Sequence, residues 1–446
     1  QQCIEEAVNN NTSLKISRLN VEMQRNTLQQ AKASMLPTLT ANASHGYNWG
    51  QTIDLYTNQF ASERVQTNNF YLQTGVTLFN GFRLLNMATQ QHLNLMARQL
   101  DSDQALNDIM LNVATAYMQV LYSTEQLNVA DGQLGITQQQ LTRTRQLVEG
   151  GMLARGELLA LEAQVAAEEV NVVRAENALD LAYLTLSQVM NLPAGSAFQI
   201  AIPGLDSLEI SQTLLLTPIQ IYHTALGIQP RIKASEVMVA GADAGVKAAR
   251  GGALPTLFLS GSLGTGFSGA RKDYTPTFSG FAPNGMFTSS FDTVYAPEFT
   301  ITETLRPFGN QINDNFNQSV ALYLSIPIFS GLQNHTAIKN ARLSLANARY
   351  NLEIQQQQLF QEIQQAHADA NAAMKNYLAA KKSLDALNES FLYASERFSV
   401  GMINSLEYND AKNRLMAAEA QMLGARYEYI FKTRLLDFFM GKEITL

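Results

Sequence analysis

The 446-residue chain is predicted to be mainly α with a small β part, built as long antiparallel helical hairpins. Three observations predict this: where the prolines fall, a seven-residue apolar period, and a repeat of the whole pattern in the second half.

None of the eleven prolines lies between Pro37 and Pro193, and none follows Pro327. An interior proline removes a helix hydrogen bond and clashes with the preceding turn, so these tracts leave room for very long helices. Leu106, Val113, Val120, Leu127, Leu134, Leu141 and Val148 recur at strict seven-residue spacing. Ile109, Ala116, Ser123, Ala130, Thr137 and Thr144 form a mostly small row three residues on, which allows close helix approach. A helix over 81–149 would be roughly 100 Å long at about 1.5 Å per residue. Gly150-Gly151 ends it, and a second seam, Leu158, Val165, Val172, Leu179 and Leu186, marks the returning helix.

Shifted by 250 residues, Phe79, Gly81, Ala116, Gly151, Met152, Glu157 and Leu186 fall on Phe329, Gly331, Ala366, Gly401, Met402, Glu407 and Leu436. Upstream the offset is 218: Leu36-Pro37-Thr38-Leu39 matches Leu254-Pro255-Thr256-Leu257. The 32-residue difference is an insertion in the second copy, between 258 and 320. Two large structural units fit this better than short repeats. The first, 1–213, carries strands at about 37–49 and 68–79, a long helix 81–149 and a returning helix 155–191. The second, 214–446, carries strands at about 255–267 and 318–329 and helices 331–399 and 405–440.

The strands rest on period-two alternation. Phe70, Leu72, Thr74, Val76 and Leu78 share one phase, as do Val320, Leu322, Leu324, Ile326 and Ile328. Leu39, Ala41 and Ala43, and then Leu257, Leu259 and Leu263, hold the opposite phase after each Leu-Pro-Thr-Leu. Each strand has about the length of a transmembrane strand, with Tyr47, Trp49, Phe70 and Tyr71 where an aromatic girdle would lie. Alternation alone fits equally well a small sheet capping a water-bathed bundle. Four strands cannot enclose a pore, so a membrane role would require several chains to share one barrel.

Composition excludes other classes. A net charge of −7 offers no basic field for nucleic acid. The single Cys3 rules out an intrachain disulfide framework. His45, His92, His223, His335 and His367 are scattered without metal-ligand spacing, and no nucleophile elbow or P-loop is present. Gly261-Ser262-Leu263-Gly264-Thr265-Gly266 is followed by loop rather than helix, so it is not read as a phosphate cradle. No catalytic residue, cofactor or metal is expected. Cys3 is expected to pack within the first amphipathic helix, in a chain whose export signal has been removed. No apolar run approaches the ~18 residues of a spanning helix. A mean hydropathy of −0.10 is still compatible with the membrane, because alternating strands disperse their lipid-facing residues.

The order of these parts resembles the outer-membrane efflux protein family, the TolC-like channels. The resemblance covers nearly the whole chain, from Cys3-Ile4-Glu5-Glu6-Ala7-Val8 through both Leu-Pro-Thr-Leu entries, Leu78-Phe79-Asn80-Gly81 and Ile328-Phe329-Ser330-Gly331. It includes the tips Val148-Glu149-Gly150-Gly151-Met152-Leu153 and Phe398-Ser399-Val400-Gly401-Met402-Ile403-Asn404. It implies a homotrimer whose protomers each give four strands to a twelve-stranded outer-membrane barrel, continuous with an α-helical periplasmic tunnel. The implied partners are a periplasmic adaptor and an inner-membrane transporter, with the chain a passive conduit in efflux or type I secretion. The insertion would be an enlarged extracellular loop, and 192–230 with the C-terminal residues a belt around the tunnel. A coiled-coil scaffold or adaptor without a barrel is the alternative.

The resemblance implies adaptor contact at Gly151, Met152, Leu153, Gly401, Met402 and Ile403. The alternative, given less weight because an exposed apolar cluster marks a partner surface, is that glycine serves only the turn and the apolar pair packs on its own hairpin. Glu157, Phe398, Glu407 and Asp410 are assigned to the tunnel mouth. The acids would form rings that favour cations, or they would stabilise helix N-termini, since Asn404 and Glu407 have capping-box spacing. Ile403 and Phe398 replace a basic residue and a tyrosine of some relatives, so closure is expected from apolar packing of Phe398, Met402 and Ile403. Asn80 and Ser330 are expected N-caps.

Overall fold

The computed structural model describes residues 2–61, 64–193, 198–201 and 212–442. In the first copy, α1 (Gln2–Asn10) and α2 (Thr12–Ala33) lead into β1 (Thr38–Asn48), a small hairpin β2 (Thr52–Ile53) and β3 (Phe60–Ala61), then β4 (Val65–Phe79). The long helix α3 (Arg83–Glu149) and the returning α4 (Arg155–Met190) follow. The second copy begins with a 3-10 turn at Gln212–Leu215, α5 (Pro218–Leu226), α6 (Pro230–Gly251) and β5 (Thr256–Ser268). It continues with β6 (Lys272–Phe287), β7 (Thr293–Leu305), α7 (Phe308–Asp314), β8 (Asn317–Ser325), α8 (Gln333–Ser399) and α9 (Ser405–Phe439). Both bounds of α8 stand 250 residues after those of α3, and both bounds of α6 stand 218 after those of α2. The sequence offsets are therefore realised element by element. Of the expected belt, 194–197, 202–211 and 443–446 lie outside the described residues.

Compactness groups elements from both copies into two units. One comprises Gln1–Leu28, Gln90–Asp243 and Leu343–Leu446; the other comprises Gln29–Thr89 and Ala244–Arg342.

The helical unit repeats its core. Cys3, Ala7, Leu14, Ile109, Val113, Ala116, Val120 and Leu186 pack together around α1, α3 and α4. Their counterparts at the two offsets, Ile221, Ala225, Ile232, Leu359, Ile363, Ala366, Ala370 and Leu436, pack together around α5, α8 and α9. Cys3 thus takes the place of a buried isoleucine, and burial pushes its thiol pKa up. On α3 both rows contribute to the core: Ile109, Ala116, Ser123, Thr137 and Thr144 of the small row are under 9% exposed, as are Val113 and Val120 of the wider seam. Leu127, Leu134 and Leu141 on the wider seam are half-buried.

The strand unit holds an antiparallel sheet in the order β1-β4-β5-β8. Registers Leu39↔Thr74, Thr74↔Gly261 and Gly261↔Val320 put the apolar phases of all four strands on one face. Leu39, Leu72, Leu263, Val320, Leu322 and Leu324 of that face are exposed. The opposite face carries Thr40, Asn42, Gln73, Ser260, Ser262 and Ser319, with Ser262 and Ser319 hydrogen-bonded at 2.8 Å. β1 and β8 each keep one edge without a strand partner among the described residues.

The insertion differs from the expected loop. β6 and β7 form a long hairpin with Phe278 against Phe299, ring centroids 6.0 Å apart. Its base is clamped by Arg306, which bonds Asp314 at 2.6 Å and Asp273 at 2.8 Å. The buried Gln311 side chain pairs with the Ser268 backbone, accepting at 2.9 Å and donating at 3.1 Å.

Candidate functional site at the hairpin tips

Both long helices end in the same way. The Met152 N–H donates to the Leu147 carbonyl at 2.8 Å and Gly151 to Val148 at 3.0 Å; Met402 donates to Arg397 at 2.8 Å and Gly401 to Phe398 at 3.1 Å. Gly151 (φ 73°) and Gly401 (φ 76°) hold the left-handed position that this six-to-one and five-to-two pattern requires. The chain then turns directly into α4 and α9. The turn leaves Met152 and Met402 about 70% exposed, with Leu153, Val400 and Leu406 also exposed and Ile403 half-buried.

A groove of about 550 Å³ runs between the two tips. It brings together Leu153 and Glu157 of the first with Phe398, Met402, Ile403 and Glu407 of the second. Gly401 also lines it, while Gly151, Met152 and Asp410 lie outside. Phe398 stacks on the buried Tyr408, centroids 4.8 Å apart, and Phe391 packs on the same ring at 5.5 Å. Burial raises the Tyr408 pKa, with the Glu168 charge adding to it.

The acids differ in setting. The Asn404 side chain accepts the Glu407 backbone N–H at 2.9 Å, which makes Asn404 the N-cap of α9. Glu407 is exposed in the first turn. Asp410 pairs with Arg414 one turn on, at 2.9 Å. At the other end of the long helices, Asn80 and Ser330 accept the Leu84 and Asn334 N–H groups at 3.4 Å.

Sequence reasoning missed a buried charge pair behind the tips. Lys412 of α9 and Glu168 of α4 are each 2% exposed and 3.3 Å apart. Both occupy core positions in otherwise apolar rows, Tyr408-Lys412-Leu415 and Leu161-Glu168-Ala175. A charged residue interrupting each row was the available signal. Among the described residues, no cluster of His, Cys, Asp or Glu could hold a metal ion. No described helix is long and apolar enough to cross a membrane.

The family model for the outer membrane efflux protein matches residues 3–192 and 221–442. The outer membrane efflux protein BepC of Brucella suis biovar 1 (strain 1330) is 23% identical over 426 residues, covering 95% of this chain and 81% of its own. The outer membrane protein TolC of Escherichia coli (strain K12) is 23% identical over 435 residues, covering 96% and 79%. The solved structure of the outer membrane protein VceC from Vibrio cholerae superposes with a TM-score of 0.77 at 15% identity, over 100% of this chain and 96% of that one. With two copies of helix, strand pair and long helical hairpin in this order, the chain belongs to the outer membrane efflux protein family, the channels of the outer membrane.

Proposed function

We propose that three copies of this chain form one passive conduit, a twelve-stranded barrel continuous with a helical tunnel, serving tripartite efflux or type I secretion. The observation that carries the reading is the pair of unpaired edges, β1 and β8, at the ends of a sheet with an exposed apolar face. In hydrocarbon each unsatisfied backbone group costs several kcal/mol, so a lipid-embedded sheet must close on itself. Pairing β8 of one copy with β1 of the next closes it after three copies, with Leu39, Leu72, Val320 and Leu322 toward lipid and the Ser/Thr/Asn face toward the lumen.

The two repeats, 1–213 and 214–446, would each supply half of the protomer's strands and helices. The exposed tips, Gly151, Met152 and Leu153 with Gly401, Met402 and Ile403, are the surface offered to the periplasmic adaptor, since an exposed apolar cluster is a partner surface. Glu157, Phe398, Glu407 and Asp410 would line the mouth. The energy-requiring step belongs to the inner-membrane transporter, and the conduit needs no bond-making residues.

Purified in detergent, the chain should run at three times its 49.2 kDa mass and give discrete conductance steps in planar bilayers. A monomer soluble in plain buffer with no conductance would overturn this and favour a coiled-coil scaffold.

A further inference from the structure

Cross-strand partners in the β6–β7 hairpin sort its side chains onto two unlike faces. Pro276↔Ile301, Phe278↔Phe299, Phe281↔Pro297 and Pro283↔Tyr295 share one; Thr275↔Thr302, Thr277↔Thr300 and Ala282↔Ala296 share the other. The register shift after Phe278 takes up one residue, so Phe278 and Phe281 stay on the same side, ring centroids 5.3 Å apart. Phe278, Phe281, Tyr295, Phe299 and Ile301 are each more than half exposed, so the described residues leave this apolar face uncovered. Its charged members, Lys272 and Glu303 at the base, bond each other at 2.7 Å.

Position, charge and edges narrow what can cover it. The hairpin leaves the sheet beyond Phe70 and Tyr71, at the end opposite the long helices. The 16 residues of β6 reach roughly 50 Å from there, well past the end of the sheet. Residues 272–305 carry four acids and one lysine, a net charge of −3 that anionic lipid headgroups repel. Pro276 and Pro283 on β6 and Pro297 on β7 have no N–H for the ladder, so their nitrogens face the two free edges and block the addition of a further strand. What remains is contact between this face and another apolar one.

The clamp at the base sets which way the face looks. Arg306 ties Asp273, on the polar face, to Asp314 of α7. α7 lies on the apolar face of the four-stranded sheet: Phe308 packs on Phe267 and Phe70 at 5.4 and 6.5 Å, and the Ile312 carbonyl accepts from Thr265. The polar face of the hairpin is thus drawn to the lipid side of the sheet. Its apolar face turns to the Ser/Thr/Asn side, where the channel reading puts the threefold axis.

We propose that the hairpins cover one another: the three of a trimer pack apolar side to apolar side about the axis, forming a collar that screens the exit of the conduit outside the membrane. This rests on the channel reading above, in which the β8 and β1 edges of neighbouring copies pair and so bring the three hairpin bases round one mouth.

The test is disulfide formation between copies in outer-membrane trimers, in a Cys3→Ser background. Under mild oxidant, Phe278→Cys should give roughly tenfold more disulfide-linked dimer than Thr277→Cys, its neighbour on the polar face. No linked dimer from Phe278→Cys, or equal amounts from both, would overturn the collar. A fluorophore on Phe278→Cys should be untouched by a lipid-borne quencher; quenching would place the face on the membrane and overturn the collar too. Access to the lumen is the second readout. A bulky polymer-linked maleimide added outside cells should label Gln73→Cys, on the polar face of β4, about tenfold faster once residues 275–302 are replaced by a short turn. An equal rate would overturn the screening. An unsubstituted chain that gives no heat-resistant trimer would instead count against the channel reading itself.

Discussion

Glu407 and Asp410 lie three residues apart on α9, yet the two carboxylates are not equivalent. Asp410 already has the Arg414 guanidinium at 2.9 Å, and both side chains are more than half exposed, so the pair contributes little to stability but offsets the Asp410 charge. If both acids line the mouth as proposed, Glu407 would carry the larger share of any cation preference. The helix cap uses its backbone N–H, so Glu407→Gln removes the charge and leaves the Asn404 cap intact. Reversal potentials under a salt gradient should shift toward non-selectivity for Glu407→Gln, and by less for Asp410→Asn. An unshifted potential in the double variant would leave only the helix-end role. Other residues were legible only after the repeat was known. Cys3 on its own is ambiguous, but its counterpart Ile221 is fully buried, which identifies a packing position. Lys412 and Glu168 were not legible, because a charged side chain at a core position is recognised only through its partner, and theirs lie on helices far apart in sequence.

The helices were the most legible elements, since absent prolines, the heptad and the two offsets all bear on the same boundaries. Long helix α8 begins at Gln333 rather than Gly331, and α3 at Arg83 rather than Gly81. In each copy a Gly-Phe or Gly-Leu pair with positive φ at both residues first turns the chain out of the strand. The insertion is a hairpin rather than an irregular loop, with Tyr274, Pro276 and Phe278 alternating along β6 as Tyr295, Pro297, Phe299 and Ile301 do along β7. Its prolines weaken the strand signal, because proline cannot donate to a ladder and is tolerated only at edges and bulges. The tips give an element-scale prediction. A Cβ on Gly401 would meet nothing within 4 Å, so Gly401→Ala tests backbone conformation alone. It should cost about 1–2 kcal/mol from the left-handed position, lowering the unfolding midpoint of the α8–α9 hairpin. An unchanged midpoint would mean that the tip turn is not held in this form.

At the scale of the whole molecule, the decisive question is what covers the apolar face of the four-stranded sheet. Leu322 and Tyr323 are neighbours on β8, both about 60% exposed, and their side chains lie on opposite faces. Leu322 shares its face with Leu39, Leu72 and Leu263; Tyr323 pairs across the ladder with Phe258 on the other. If the first face meets lipid, Leu322→Arg should destabilise the assembled barrel by about 2–4 kcal/mol near mid-bilayer. Tyr323→Arg, pointing into a water-filled lumen, should cost far less. The yield of heat-resistant trimer in the outer-membrane fraction measures both. A sheet bathed in water on both faces would tolerate the two substitutions alike, and equal yields would therefore remove the physical reason for three chains to share a barrel. Unequal yields in this order would tie the period-two alternation of each strand to the oligomer, because only a lipid-facing sheet both requires that pattern and forbids the free edges of β1 and β8.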